Sequence, residues 1–176
     1  MLCFKSTGTP LKLLVQWPII FNRRRTLACP FFMPTQKLEG QDLWLHPSRL
    51  PLGAGWKGNC GAPGHEAVQL SHPEVRECNL GYALKCPRLP QIRECDSVRF
   101  GIANDSGSRL LLWFVCEAGH RPVRHGTLEF DTLLSRWNTT HPDSRLQKKA
   151  ECYLESYLAR RSHSIGDEVA AVGQNS

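Results

Sequence analysis

Residues 97–131, SVRFGIANDSGSRLLLWFVCEAGHRPVRHGTLEFD, decide the fold. In 97–103 the residues Val98, Phe100 and Ile102 alternate with polar or small ones, the two-residue period of a half-buried strand. Asn104-Asp105-Ser106-Gly107-Ser108 is a cluster of turn formers that tolerate positive φ or make local side-chain turns. Residues 110–116, LLLWFVC, form a continuous apolar run that reads as a strand buried on both faces. Gly119 marks a second turn, and 122–130 reads as a third strand with Gly126 at a bulge. The unit is a three-stranded antiparallel meander.

Downstream, residues 142–161 read as a helix. Pro142 suits the first turn, with Thr140 or His141 at the cap. Leu146, Ala150, Tyr153, Leu154, Tyr157 and Leu158 share one face at helical spacing. Arg160 and Arg161 complement the negative end of the helix dipole. The simplest packing lays this helix across the meander. Residues 162–176, SHSIGDEVAAVGQNS, have the composition of a disordered tail.

Upstream, residues 29–96 hold eight of the twelve prolines, seven of the fourteen glycines and five of the eight cysteines. Turn signals recur at Pro51-Leu52-Gly53, Gly61-Ala62-Pro63-Gly64 and Pro87, and hydrophobic periodicity is poor. A loop-built stretch this long cannot bury enough apolar surface to offset its ordering entropy unaided. Its aromatic residues (Phe31, Phe32, Trp44, Trp56, Tyr82) argue against disorder, so a staple is expected. The chain of 176 residues, 41% hydrophobic and 22% charged, thus reads as one α+β domain over 29–161: a Cys-rich loop-built lobe at 29–96, a β-meander at 97–131 and one C-terminal helix at 142–161.

The net charge of +6 is confined to the start of the chain. Six of the 22 basic residues (Lys5, Lys12, Arg23, Arg24, Arg25, Lys37) precede the first acid, Glu39, leaving 16 basic residues against 16 acidic ones. A nucleic-acid-binding domain carries its basic patch on the folded body, so no specific nucleic-acid partner is expected. Residues 1–28 read as a basic, disordered leader. Its apolar run 13–21 is interrupted by Pro18 and precedes the arginines, the reverse of a secretory signal. No segment approaches the ~20 apolar residues of a transmembrane helix. Cytoplasmic residence, and a protein partner of unknown identity, are the expectations.

The eight cysteines are Cys3, Cys29, Cys60, Cys78, Cys86, Cys95, Cys116 and Cys152. Cys116 ends an apolar strand and Cys152 lies inside the helix, where a free thiol behaves as a small hydrophobe. Five remain in the zone that needs a staple. The flanking acids Glu94 and Asp96 oppose a thiolate site at Cys95. This leaves Cys29, Cys60, Cys78 and Cys86 as candidate metal ligands. They lack Cys-x-x-Cys spacing, with 30, 17 and 7 residues between successive members. That spacing weakens a zinc site without excluding it, and four dispersed thiolates converging on one point also suit a [4Fe–4S] cluster, so zinc and cluster both stand. Glycines beside Cys60 and Cys78 let backbone N–H groups approach the sulfurs. With every position filled by protein, the centre is structural rather than catalytic.

Rival readings use other residues. Cys60 and His65 with Cys116 and His120 could make a Cys2His2 site. A nucleophilic Cys116 with His120 or His125 and Asp131 would make a thiol enzyme or redox protein. His65-Glu66 opens like a zincin helix, but Gln69 stands where the second histidine belongs. No phosphate-binding loop or dinucleotide fingerprint is present. The preferred reading is therefore a metal-stabilised binding or interaction protein, with a thiol-dependent enzyme or redox protein using Cys116 as the alternative.

Overall fold

The computed structural model describes residues 27–39, 44–81 and 86–172, with side chains described as far as residue 162. It is an α+β protein with two antiparallel sheets and two α-helices. The meander stands as β4 (Ser97–Asp105), β5 (Arg109–Ala118) and β6 (Arg121–Asp131), extended by a short β7 (Arg136–Trp137) in the order β4-β5-β6-β7. Thr132 closes the β4–β5 turn by donating to the Gly107 carbonyl at 2.6 Å.

Burial along β5 alternates, in place of burial on both faces. Leu110, Leu112, Phe114 and Cys116 are buried, while Leu111, Trp113 and Val115 are half-buried. Among the described residues, the buried set shares the face of Phe100, which stacks on Tyr153. On the other, Trp113 lies flat against Gly101, where a Cβ would collide with the indole, and the Arg99 guanidinium sits 5.7 Å from its ring.

The segment 29–96 is not built from loops alone. It contains β1 (Phe32–Lys37), β2 (Trp56–Cys60), β3 (Val68–Gln69) and α1 (His72–Leu80). These strands form the second sheet, in the order β1-β2-β3. Pro34 lies within β1, and the β1–β2 register slips between Pro34 and Gln36. Such a slip accommodates a residue that cannot donate to the ladder. The α1 helix begins with a capping box: Glu74 Oε2 accepts from the Ser71 N–H at 2.8 Å and from its hydroxyl at 2.7 Å.

The second helix, α2 (Ser144–Val172), packs on β1 and β4, so it bridges the two sheets. Leu146, Ala150 and Leu154 enter the core, and Tyr153 stacks on Phe100 with centroids 5.9 Å apart. Helix continues through 162–172, which composition assigns to the tail; residues 173–176 lie outside the described residues. The leader also ends earlier than expected. Leu27 and Ala28 are buried, and Ala28 pairs with Val98 through N–H···O bonds of 2.8 and 2.9 Å in the two directions. Residues 1–26 lie outside the described residues. Among the described residues, no helix is long and apolar enough to cross a membrane.

Candidate functional site

The cysteines of the described residues are all free thiols, and six of them line two neighbouring cavities. Cys29, Cys60, Cys78 and Cys86 all line the first, of about 650 Å³, whose walls are otherwise largely apolar, from Phe31, Ala62, Leu70 and Leu89. Each thiol arrives on a different element. Cys29 lies in the turn before β1, closed by the Phe32 N–H on the Cys29 carbonyl at 3.2 Å. Cys60 ends β2, opposite Phe32 on one side and Val68 on the other. Cys78 occupies the last turn of α1, and Cys86 opens a turn in which the Leu89 N–H donates to its carbonyl.

Backbone and side-chain contacts hold these elements around the cavity. The Cys29 N–H donates to the Cys78 carbonyl at 3.0 Å. Asn79, fully buried beside Cys78, pairs with the Trp56 backbone as a strand would. Its Oδ1 accepts from Trp56 N–H at 3.0 Å, and its Nδ2 donates to Trp56 O at 2.9 Å and Val75 O at 2.8 Å. This locks α1 to β2. The helix then stops at Gly81, whose φ of +67° favours glycine and whose Cβ would strike the Leu27 carbonyl. Arg88 reaches back to Glu74 at 2.6 Å and pins the Cys86 turn to the start of α1.

The sulfurs are set among hydrogen-bond donors. The Ala62 N–H points at Cys60 Sγ from 3.5 Å. A thiol hydrogen bond from Cys78, with the Phe31 and Phe32 amides and the Lys149 charge, outweighs burial and brings Cys29 down to about 7. The same contact, together with burial, pushes Cys78 up, and the charges of Cys60 and Cys86 add to that rise. Among the described residues, no group of three or more His, Cys, Asp or Glu side chains is already arranged to hold a metal ion.

Cys95 and Cys116 line the second cavity, of about 230 Å³, and their thiols hydrogen-bond to each other. Cys116 stands at a bulge between Cys116 and Glu117 and directly opposite Arg124 in the β5–β6 register. Arg124 Nη2 lies 3.8 Å from Cys116 Sγ, and its Nη1 pairs with Glu94 at 3.1 Å. The Cys95 hydrogen bond and Arg124 overcome burial and lower Cys116 to about 6, while the same hydrogen bond and burial raise Cys95.

Lys149 sits between the two cavities. It is fully buried and donates to the carbonyls of Pro30 and Phe32 at 2.8 Å each, anchoring the Cys29 turn to α2. Desolvation pulls it down to about 8. The periodicity of α2 carries the signal for this residue, since 149 falls on the face of Leu146, Ala150 and Tyr153. The meeting of Cys95 and Cys116 in one cavity, by contrast, depends on how the segment before β4 lies beside β5, which spacing does not show.

The rival constellations come apart. Cys60 and Cys116 line different cavities, so Cys60, His65, Cys116 and His120 do not converge. Asp131 pairs with Arg109, seven residues along β5 from Cys116, about 23 Å away at the rise of a strand. His125 pairs with Val115 and so lies on the face opposite Cys116. Comparison with family models, with curated proteins and with solved structures gives no match.

Proposed function

We propose that Cys29, Cys60, Cys78 and Cys86 bind a structural metal centre, zinc or a [4Fe–4S] cluster, and that the chain is a small metal-stabilised interaction protein. The observation that carries this reading is convergence. Four cysteines with as many as 30 residues between successive members, on four different segments, line one largely apolar cavity. Apolar burial alone gives no reason for four thiols to share a wall. A thiolate set does, because each ligand must come from a separately anchored segment. Four thiolates concentrate negative charge: Lys149 and the amides of Phe31, Phe32 and Ala62 oppose it, Arg88 on the wall is paired with Glu74, and Glu77 adds to it. Zinc would draw the sulfurs onto one ion with Zn–S bonds of about 2.3 Å, and a cluster would hold them further apart, one per iron. Metal binding would couple directly to the folding of 27–96. A reducing, cytoplasmic setting fits the free thiols.

The test is the metal content and absorption spectrum of the full chain purified without oxygen. Stoichiometric zinc, or iron with sulfide and broad visible absorption, is the expected result. Serine at any one of the four positions should lower it, and Cys152→Ser should not. A folded, metal-free chain that takes up neither zinc nor a reconstituted cluster would overturn the reading.

A further inference from the structure

The second cavity supports a separate chemistry. We infer that Cys95 and Cys116 form a peroxide-reactive dithiol, with Cys116 the attacking sulfur and Cys95 the resolving one. Three geometric features carry this. Cys95 and Cys116 line one small cavity, and the Asp96 N–H on the Glu117 carbonyl at 2.7 Å ties the backbone beside one cysteine to the backbone beside the other, the setting a disulfide requires. Arg124 faces Cys116 Sγ across the β5–β6 ladder at 3.8 Å, placing a fixed positive charge where a thiolate, and then a leaving hydroxide, develops. Both cysteines line the cavity although Cys116 is only 1% exposed and Cys95 7%. A cavity of about 230 Å³ leading to such buried sulfurs admits an oxidant of two heavy atoms far more readily than a bulky disulfide.

The chemistry balances without a metal. The Cys116 thiolate attacks one oxygen of hydrogen peroxide, an S–O bond forms, the O–O bond breaks, and the departing hydroxide takes a proton to become water. The Cys95 thiol then gives up its proton and attacks Cys116 Sγ. The S–S bond forms as the S–O bond breaks, and the second hydroxide leaves as water with that proton. Two electrons pass from the sulfurs to the peroxide oxygens. A low-molecular-weight thiol restores the pair by exchange, leaving as its own disulfide.

Charged groups facing the pair come from every neighbouring element. Arg93 and Glu94 lie on the segment before β4, Arg124 on β6, Asp143 immediately before α2, and Arg145 and Lys149 on α2. Of these, Arg124 and Lys149 favour the thiolate at Cys116. The inference does not rest on the metal centre, which uses other cysteines.

The experiment treats the reduced full chain with one equivalent of hydrogen peroxide, blocks the remaining thiols under denaturing conditions and maps the peptides. A Cys95–Cys116 disulfide should form before any other. In Cys95→Ser, a sulfenic acid trapped by a cyclic dione should accumulate at Cys116. Arg124→Leu should slow the wild-type reaction tenfold or more, with Arg124→Lys recovering part of it. The wild-type rate should fall as pH drops through about 6. A first disulfide between Cys29 and Cys78, or Cys95 and Cys116 both left as free thiols, overturns the inference, and both readings come from the unmutated chain.

Discussion

The two cysteine cavities share a wall and differ in construction. Phe31 lines both, and Lys149 anchors the turn that separates them. The first cavity draws four thiols from four segments spread over Cys29 to Cys86, with mostly apolar surroundings. The second draws two thiols from the segment entering β4 and from β5, and charged side chains ring it. The β4–β5 ladder, running from Ser97↔Glu117 to Asp105↔Leu110, and the Asp96 N–H on the Glu117 carbonyl at 2.7 Å tie the Cys95 segment to β5. The first set has short strands, a nine-residue helix and the Asn79 clamp. Convergence without a strong ladder is what a bound metal would explain. Convergence on a ladder needs no such help.

The sharpest way to break this contrast is to remove the metal. Chelation from the loaded chain should strip hydrogen-exchange protection from β2 and α1 while β4, β5 and β6 keep theirs. Structural zinc contributes about 10–16 kcal/mol in small zinc peptides, so the loss should exceed a hundredfold. Equal loss in both regions, or none in either, would remove the distinction drawn between the cavities.

A smaller effect tests the shared wall. Lys149→Met keeps the apolar stem but leaves the Pro30 and Phe32 carbonyls without their buried donor. The expected cost is about 2–3 kcal/mol in denaturant unfolding. Metal affinity should weaken with it, because the Cys29 turn loses its anchor. Unchanged stability and affinity would show that the lysine is not the anchor.

The smallest effect lies at the entry to α2. Burial raises Asp143, but the Arg145 guanidinium and N–H bonds outweigh it and leave the carboxyl at about 2. A folded-state value below the ordinary one near 3.9 contributes stability that is present above that ordinary value. It is lost as pH falls through about 2. The melting temperature of Asp143→Asn should therefore decline less than wild type between pH 4 and 2. Parallel curves would contradict the assignment.

The meander was legible because its physics is local. Alternation in Val98, Phe100 and Ile102, and the turn formers at 104–108, mark strand and turn within a few residues, and β4, β5 and β6 fall where they indicate. The second sheet was not legible, since β1 contains Pro34 and pairs with β2 19 to 28 residues away. Nothing local marks Gly58, where a Cβ would collide with the Met33 carbonyl across the ladder. The α1 helix did leave a mark: Ser71, with Pro73 and Glu74 behind it, is a capping-box pattern. Turn density around it masked that mark. The grouping of Cys29, Cys60, Cys78 and Cys86 followed from asking what holds a Pro- and Gly-rich segment together. The meeting of Cys95 with Cys116 depends on how the segment before β4 lies on β5, held by the Asp96 N–H on the Glu117 carbonyl, which composition does not carry.

X-ray absorption at the metal edge of the anaerobically purified full chain tests the central claim most directly. The account predicts an all-sulfur ligand shell: four sulfurs at about 2.3 Å around zinc, or thiolate and sulfide around iron with iron–iron scattering beyond. A shell of nitrogen and oxygen donors, or no bound metal in a folded chain, would contradict it.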